Sequence, residues 1–285
     1  MILVVGASGE LGSKIAKGLL KAGQDVRVLA RENPVYQTLG EAGAQLVKGD
    51  IKDAASLAAA CDGVQTVITT ASAITRGGED TLESVDLNGT ASLIDAAKQA
   101  GVKHFIYITS TVADPESQDS YAAAKGKNEQ RLRASGMTYT LIRPYIFLDF
   151  WLYMLVGVPM QAGQPITLVG QGDHKHSFVA IQDAAAFAIA AVDNPAAQNQ
   201  DLLIGGPQPV CFTEVVKQVE QLIGKELTVN YVPIGSPVPT TPEPLWGFLY
   251  MIESTEVSID MQALTQTYGV TLTSSQELAR LMFSS

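Results

Sequence analysis

Apolar positions change period repeatedly over the first half of this chain. Ile2-Leu-Val-Val5 is a continuous, mostly β-branched run, as expected of a strand buried on both faces, and it breaks at Gly6. Leu11, Ile15, Leu19 and Ala22 then recur at helical spacing, and Gly23 ends that run as a C-terminal helix glycine does. The alternation continues. Further strands are predicted at 25–30, 45–48, 65–69, 104–109 and 138–142. Helices are predicted at 36–42, 54–60 (capped by Asp53), 81–100 and 117–134. Six strands separated by helices call for an α/β fold: a doubly wound parallel sheet with helices on both faces.

The rhythm breaks after Pro144. Residues 145–154 are crowded with aromatics, and a Gly/Pro/Gln-rich loop follows. Short strands are expected at 166–169 and 177–180, a helix at 183–192, and a strand at 201–204 that would return to the main sheet. Thr213 would cap a helix running to Ile223. A strand at 227–232, a Pro-rich loop at 233–244 and helices at 244–253 and from Ser274 onward complete the prediction. Residues 1–144 thus read as a dinucleotide-binding domain. Residues 145–285 read as a smaller C-terminal substrate or lid lobe built from insertions.

Composition narrows the function. Hydrophobic residues make up 46% of the 285, enough for a sizeable core, whereas a net charge of −10 argues against non-specific nucleic-acid binding and against anionic membranes. Cys61 and Cys211 lack metal-ligand spacing and read as buried free thiols. The apolar stretch 150–160 is too short and broken to span a bilayer, and no leader precedes the first strand. The expectation is a soluble cytoplasmic protein, monomer or homodimer, acting on a small molecule.

The candidate chemistry begins at Gly6-x-x-Gly9-x-x-Gly12. A first glycine permits a tight turn, a second lets backbone N–H groups approach a pyrophosphate, and a third lets the helix pack on its strand. A strand-to-helix turn without a ligand is the plainer alternative, but strand, glycines and helix arrive together. Ser8, Glu10 and Leu11 complete the turn. At the end of the second strand Ala30 stands where an NAD-selective acid is expected. Arg31 follows with a fork suited to the 2′-phosphate of NADP, so NADP(H) is favoured over NAD(H), although Glu32 could itself serve as the acid. Asp50, followed by Ile51, is placed either for the adenine amino group or to cap the next turn. Thr70, Ala71 and Ser72 are small enough for a cofactor to approach the backbone, and Pro144 ends the sixth strand.

Tyr121-Ala-Ala-Ala-Lys125 sets a phenol and an ammonium one helical turn apart, where a cation brings the phenol toward its working range. Lys125 could also hold the nicotinamide ribose. Ser110, ending the fifth strand, could polarise a substrate carbonyl. Tyr145, Phe147, Phe150 and Trp151 (with Tyr153) could form a substrate wall, or simply fill the lobe's core. His174 and His176 flank Lys175 in a polar loop with no third ligand in view, so exposed histidines and no metal site are expected.

With Asp86-x-Asn88-Gly89, these motifs resemble the short-chain dehydrogenase/reductase superfamily, whose dinucleotide domain is the Rossmann fold. Residues 132–144 and 178–183 resemble its atypical, NmrA-like branch. The resemblance covers about 1–206. It implies NADP(H) binding and, in enzymatic members, reduction of quinones, carbonyls or related acceptors. Other members of that branch are non-catalytic NADP(H) sensors that regulate a protein partner, and these often lack the tyrosine. A nucleotide-sugar epimerase or dehydratase, with the same Ser/Tyr/Lys set, ranks third. Retention of Tyr121, Lys125 and Ser110 favours an oxidoreductase.

Overall fold

A computed structural model describes every residue except Glu32, Thr75, Gly77 and Ser285, so the alternative acid at position 32 lies outside the described residues. The chain divides into two compact units. The first comprises residues 1–144, 184–203 and 266–270; the second comprises 145–183, 204–265 and 271–285.

In the first unit the β-branched runs become β1 (Ile2–Val5), β2 (Val26–Ala30), β3 (Gln45–Lys48), β4 (Thr66–Thr69), β5 (His104–Ile108) and β6 (Thr138–Pro144). Between them lie α1 (Glu10–Lys21), α2 (Pro34–Glu41), α3 (Ala54–Cys61), α4 (Thr90–Gln99) and α5 (Ser120–Ala134). Local chemistry sets the helix starts. Asp53 accepts from the N–H groups of Ala55 and Ser56 at the head of α3, and Asp119 accepts from Ala122 at the head of α5. The latter starts the helix at Ser120 instead of 117, because Ser117 Oγ accepts from the Asp119 N–H in a preceding turn.

The predicted helix 81–100 is correct in extent but not in type. Its first half, Leu82–Gly89, is wound as a π-helix and only then tightens into α4. A Thr81/Ser84 capping box starts it. The wider turn lets the Thr90 hydroxyl bond the Val85 carbonyl five residues back. Such turns are uncommon and gather at functional sites.

The sheet order is β3-β2-β1-β4-β5-β6 followed by the strand Gln200–Ile204, and the pairs from β3 to β6 are parallel. Its direction of growth reverses between β1 and β4, the crevice where open α/β sheets bind ligands. Register aligns the relevant ends, since Val5 stands opposite Leu29 on β2 and Thr69 on β4. Leu3, Val5, Leu57, Leu93, Phe105 and Leu141 form part of the core on one face.

The remaining elements are α6 (Leu148–Leu152), α7 (Val158–Ala162), β7 (Ile166–Val169), α8 (Ile181–Ala190), β8 (Gln200–Ile204), α9 (Phe212–Ile223), β9 (Val229–Val232), α10 (Trp246–Ser254), α11 (Gln262–Tyr268) and α12 (Ser275–Phe283). A π-turn at Tyr153–Gly157 joins α6 to α7, and β7 pairs in parallel with β9. The second unit's core gathers Leu148, Trp151, Phe178, Phe212, Val215 and Leu249.

Three expectations here need correction. Residues 177–180 make only isolated bridges, such as Phe147 to Val179. The cap of α9 is Cys211, boxed with Glu214, because the Thr213 hydroxyl instead donates to the Gln171 and Gly172 carbonyls. Helix α11 was not foreseen, its seven residues being too few to show a helical period. Among the described residues no helix is long and apolar enough to cross a membrane.

Candidate functional site: a pocket at the sheet crossover

The pocket opens where β1, β2, β3 and β4 end together. Val5, Gly6 and Ser8 come from the first turn, Leu29, Ala30 and Arg31 from the second strand's end, and Gly49, Asp50 and Ile51 from the third. Ala71, Ser72, Arg76, Asp80 and Val85 close it. Gly6 has φ +89°, a conformation that side-chain-bearing residues rarely adopt. A Cβ there would also lie 2.6 Å from Thr70 Oγ1, while one at Gly12 would lie 2.4 Å from the Gly6 carbonyl oxygen. Gly9 caps α1 without a side-chain acceptor, which leaves first-turn N–H groups and the positive end of the helix dipole for an anion. This cradle fits a dinucleotide pyrophosphate.

Of the predicted cofactor residues, Gly6, Ser8, Arg31, Asp50, Ile51, Ala71 and Ser72 line this pocket. Gly9 and Thr70 stand beside it, joined to Gly6 by the Gly9 N–H (3.0 Å) and the Thr70 hydroxyl (3.4 Å), both donating to its carbonyl. Glu10, Leu11 and Gly12 continue into α1, and Lys125 and Pro144 lie outside the lining.

The end of the pocket at β2 and β3 is more charged than the sequence alone suggests. Arg31 Nη2 donates to Asp80 Oδ2 at 2.7 Å, Lys52 Nζ to Asp80 Oδ1 at 2.8 Å, and Arg76 Nη1 stands 3.5 Å from Oδ2. The Lys52 hydrogen bond, reinforced by Arg31, holds the Asp80 carboxyl down at about 2. Asp50 lies 3.8 Å from Arg31 and 3.9 Å from Lys52, and its Oδ1 accepts from the Lys52 N–H, so it does form the turn cap that was the alternative reading. Arg76 and Asp80 were missed, although their i, i+4 spacing just after the β4 loop was visible.

A second constellation surrounds Lys125. Its ammonium lies 3.2 Å from Asp86 Oδ1, 5.2 Å from the Tyr107 ring centre and 5.4 Å from that of Tyr121, with the side chain 3% exposed. Burial opposes the charge, but Tyr107, Tyr121 and Asp86 outweigh it, and the Lys125 pKa is raised. Burial pushes the Tyr107 phenol up to about 12. The other Asp86 oxygen accepts from the Ala73 N–H at 2.8 Å, and Asn128 Nδ2 donates to the Asp86 and Leu87 carbonyls. Asp86 therefore ties α5 to the loop that lines the pocket. Lys125 approaches the face of the Tyr121 ring.

Ser110 follows β5, its Oγ accepting from the Val112 N–H. The preceding Thr109 donates to buried Glu129 on α5 at 2.7 Å, and Glu129 also accepts from Arg143 on β6. Burial raises the Glu129 pKa even against these donors. This network, which holds the end of β5 to α5, was not foreseen.

In the second unit Tyr145 donates its hydroxyl to His176 Nδ1 at 2.8 Å, while His176 Nε2 donates to the Ile252 carbonyl at 2.8 Å. His176 is fully buried, a correction to the expectation of an exposed loop histidine. Trp151 is 4% exposed and belongs to the core, with Phe150 half-buried edge-on against it at 5.2 Å. Phe147 is half-buried and Tyr153 exposed. Asp173, His174 and Glu253 bring potential metal-ligand atoms within 4.8 Å of one another, but Glu253 Oε1 already accepts from the Gln171 and Gly172 N–H groups. Both cysteines are free and buried.

A doubly wound sheet with this cradle at its crossover defines a dinucleotide-binding protein of the Rossmann type. Over residues 1–278 the chain matches the NmrA-like family, and it belongs to that family. It is 32% identical to an NAD(P)H azoreductase of Xenophilus azovorans, over 82% of this chain and 77% of that one. It is also 30% identical to the photosystem II assembly factor Ycf39 of Trieres chinensis, over 82% and 72%. In fold it is similar to the triphenylmethane reductase of Citrobacter sp. (TM-score 0.81, 23% identity, 100% of this chain and 99% of that one). An NADPH-dependent quinone oxidoreductase of Escherichia coli gives a TM-score of 0.78 at 22% identity, covering 100% of both chains.

Proposed function

We propose that the chain is an NADPH-dependent reductase of a quinone or another small apolar carbonyl-type acceptor. The observation that carries this reading is the cationic rim of Arg31, Lys52 and Arg76 at the adenosine end of the pocket. On a chain of net charge −10 such a gathering is a directed anion site, and the 2′-phosphate is what distinguishes NADP(H) from NAD(H). The names of the azoreductase and the quinone oxidoreductase support the acceptor class by analogy.

When bound, the reduced nicotinamide supplies a hydride. The chain's own residues do the rest: the Gly6–Gly12 turn and the α1 N–H groups receive the pyrophosphate, and Arg31 takes the 2′-phosphate. Lys125, whose charge is stabilised by its surroundings, supplies a fixed positive potential beside Tyr121. Tyr121 gives its phenolic proton to the acceptor oxygen as negative charge develops there, and Ser110 donates a hydrogen bond that orients the same oxygen.

The test is consumption of NADPH and NADH with a panel of quinones and aldehydes, by wild type and Tyr121→Phe. Preference for NADPH is expected, with kcat of the variant down by about a hundredfold or more and NADPH affinity unchanged. Equal turnover by the variant would remove Tyr121 from the mechanism. NADPH binding with no acceptor reduced would favour a non-catalytic sensor.

A further inference from the structure

The three cations at the adenosine end come from separate segments, Arg31 just past β2, Lys52 after β3 and Arg76 after β4, yet all converge on one carboxylate. The Asp80 side chain is 7% exposed although it sits in irregular chain ahead of the π-helix. Both terminal nitrogens of Arg31 are directed at it, Nη2 at 2.7 Å and Nη1 at 3.4 Å. A guanidinium binds phosphate through the same paired donors that it presents to a carboxylate, so these bonds to Asp80 and to a phosphate exclude one another.

We propose that Asp80 is a built-in competitor for the 2′-phosphate of NADP(H), occupying Arg31, Lys52 and Arg76 with a carboxylate that the phosphate must displace. The inference rests on the NADP(H) reading above and adds how that site sets its selectivity.

Charge bookkeeping supports displacement over coexistence. Among the described residues the three cations face two carboxylates, Asp80 and the more distant Asp50, leaving one positive charge. A phosphate monoester brings close to two negative charges at neutral pH. With Asp80 in place the assembly would be left negative by about one charge; with Asp80 withdrawn it is close to neutral. Arg76 adds a link to the other end of the pocket, since its Nη2 lies 3.5 Å from Ser8 Oγ in the glycine turn. The phosphate and the pyrophosphate therefore draw on neighbouring side chains. A dinucleotide with a plain 2′-hydroxyl brings no anion to contest Asp80, so its binding is indifferent to that carboxylate.

The experiment is titration of the full chain with NADPH and NADH, by nicotinamide fluorescence or calorimetry, in wild type and Asp80→Asn. NADPH is expected to bind about tenfold more tightly to the variant, the effect of removing one charge beside a phosphate at the protein surface, while NADH is unchanged. Salt should weaken NADPH binding more steeply in the variant. NADPH affinity unchanged or reduced in a variant that binds NADH normally would overturn the proposal, since Asp80 would then only organise the cations. Wild type binding NADH as tightly as NADPH would overturn both this inference and the NADP(H) reading. If Asp80→Asn does not fold, Lys52→Gln carries the test: NADPH about tenfold weaker with NADH unchanged is expected, and equal affinity overturns the proposal.

Discussion

Lys125 and Asp86 form an ion pair at 3.2 Å with both side chains almost completely withdrawn from water. A buried pair of this kind adds little net stability over a hydrophobic replacement, but removing one partner strands the other charge. It also fixes the orientation of the lysine, which sits one turn from Tyr121 on α5.

Asp86→Ala is expected to destabilise the fold by about 3–5 kcal/mol, because Lys125 would be left buried and unpaired. Denaturant midpoints measure this. Asp86→Ala combined with Lys125→Met should recover part of the loss, and a double variant no more stable than Asp86→Ala would show that the charge is not the cause.

Gly12→Ala should abolish dinucleotide binding or weaken it at least about tenfold. The new methyl would meet the Gly6 carbonyl at 2.4 Å and Ala7 Cα at 2.8 Å, both backbone atoms that move only if the turn itself moves. Gly23→Ala is the comparison. It meets nothing within 4 Å but carries φ +76°, so it should reduce stability through backbone strain and leave cofactor affinity intact. Parallel fluorescence titrations and thermal melts separate the two effects.

Stability should fall as the solution is acidified below about pH 6.5. Burial is the main cause holding His176, and independently His104, below the ordinary histidine pKa. The unfolded chain therefore takes up protons at these two sites before the folded chain does. The stabilising difference is complete above the unfolded pKa and shrinks as pH drops through it toward the folded values. His176 receives the Tyr145 hydroxyl on Nδ1, an acceptor role that protonation ends. Melting curves from pH 8 to 5 should show a reduced slope in His104→Asn, His176→Asn or both. Identical slopes in both variants would contradict this account.

Arg143→Met should cost about 2–3 kcal/mol, since it takes a charged partner from buried Glu129. Arg143→Lys should rescue part of this, because one nitrogen, Nη2, makes both the Glu129 and the Asp201 contact, and a lysine ammonium carries donors for both. Glu129→Gln in the Arg143→Met background should restore stability, because burial already favours the uncharged form. Chemical denaturation of the set distinguishes loss of the ion pair from loss of packing.

Most of the fold was legible because its periodicities are local. Ile2–Val5 and His104–Ile108 read as buried strands from their own residues, and Asp53 marked the start of α3 by its side chain. What stayed hidden depends on partners distant in sequence. Nothing near Thr213 reveals that its hydroxyl belongs to the Gln171 and Gly172 carbonyls. Nothing near His176 reveals that Tyr145 and Ile252 take both ring nitrogens. The site divides the same way. Gly6, Gly9, Gly12 and Arg31 carry their meaning in spacing, whereas Asp80 gains its own only when Lys52 and Arg31, 28 and 49 residues away, close around it. The π-wound start of the 81–100 helix was invisible because no residue type in Leu82–Gly89 distinguishes a π-turn from an α-helical one.

The seventh strand of the sheet has a consequence for how this protein is made. β8 lies against β6, but all of residues 145–199 are synthesised between them. Until residues 200–204 have been made, the β6 edge offers unpaired N–H and C=O groups to any neighbouring chain. The first unit is completed only by a segment that is made later, and an edge left open in the meantime is a site for aggregation. A chain cut off at Pro144 would hold every glycine of the phosphate turn and six of the seven strands, but with a sticky open edge, so shortening this protein to residues 1–144 calls for redesign of the β6 edge.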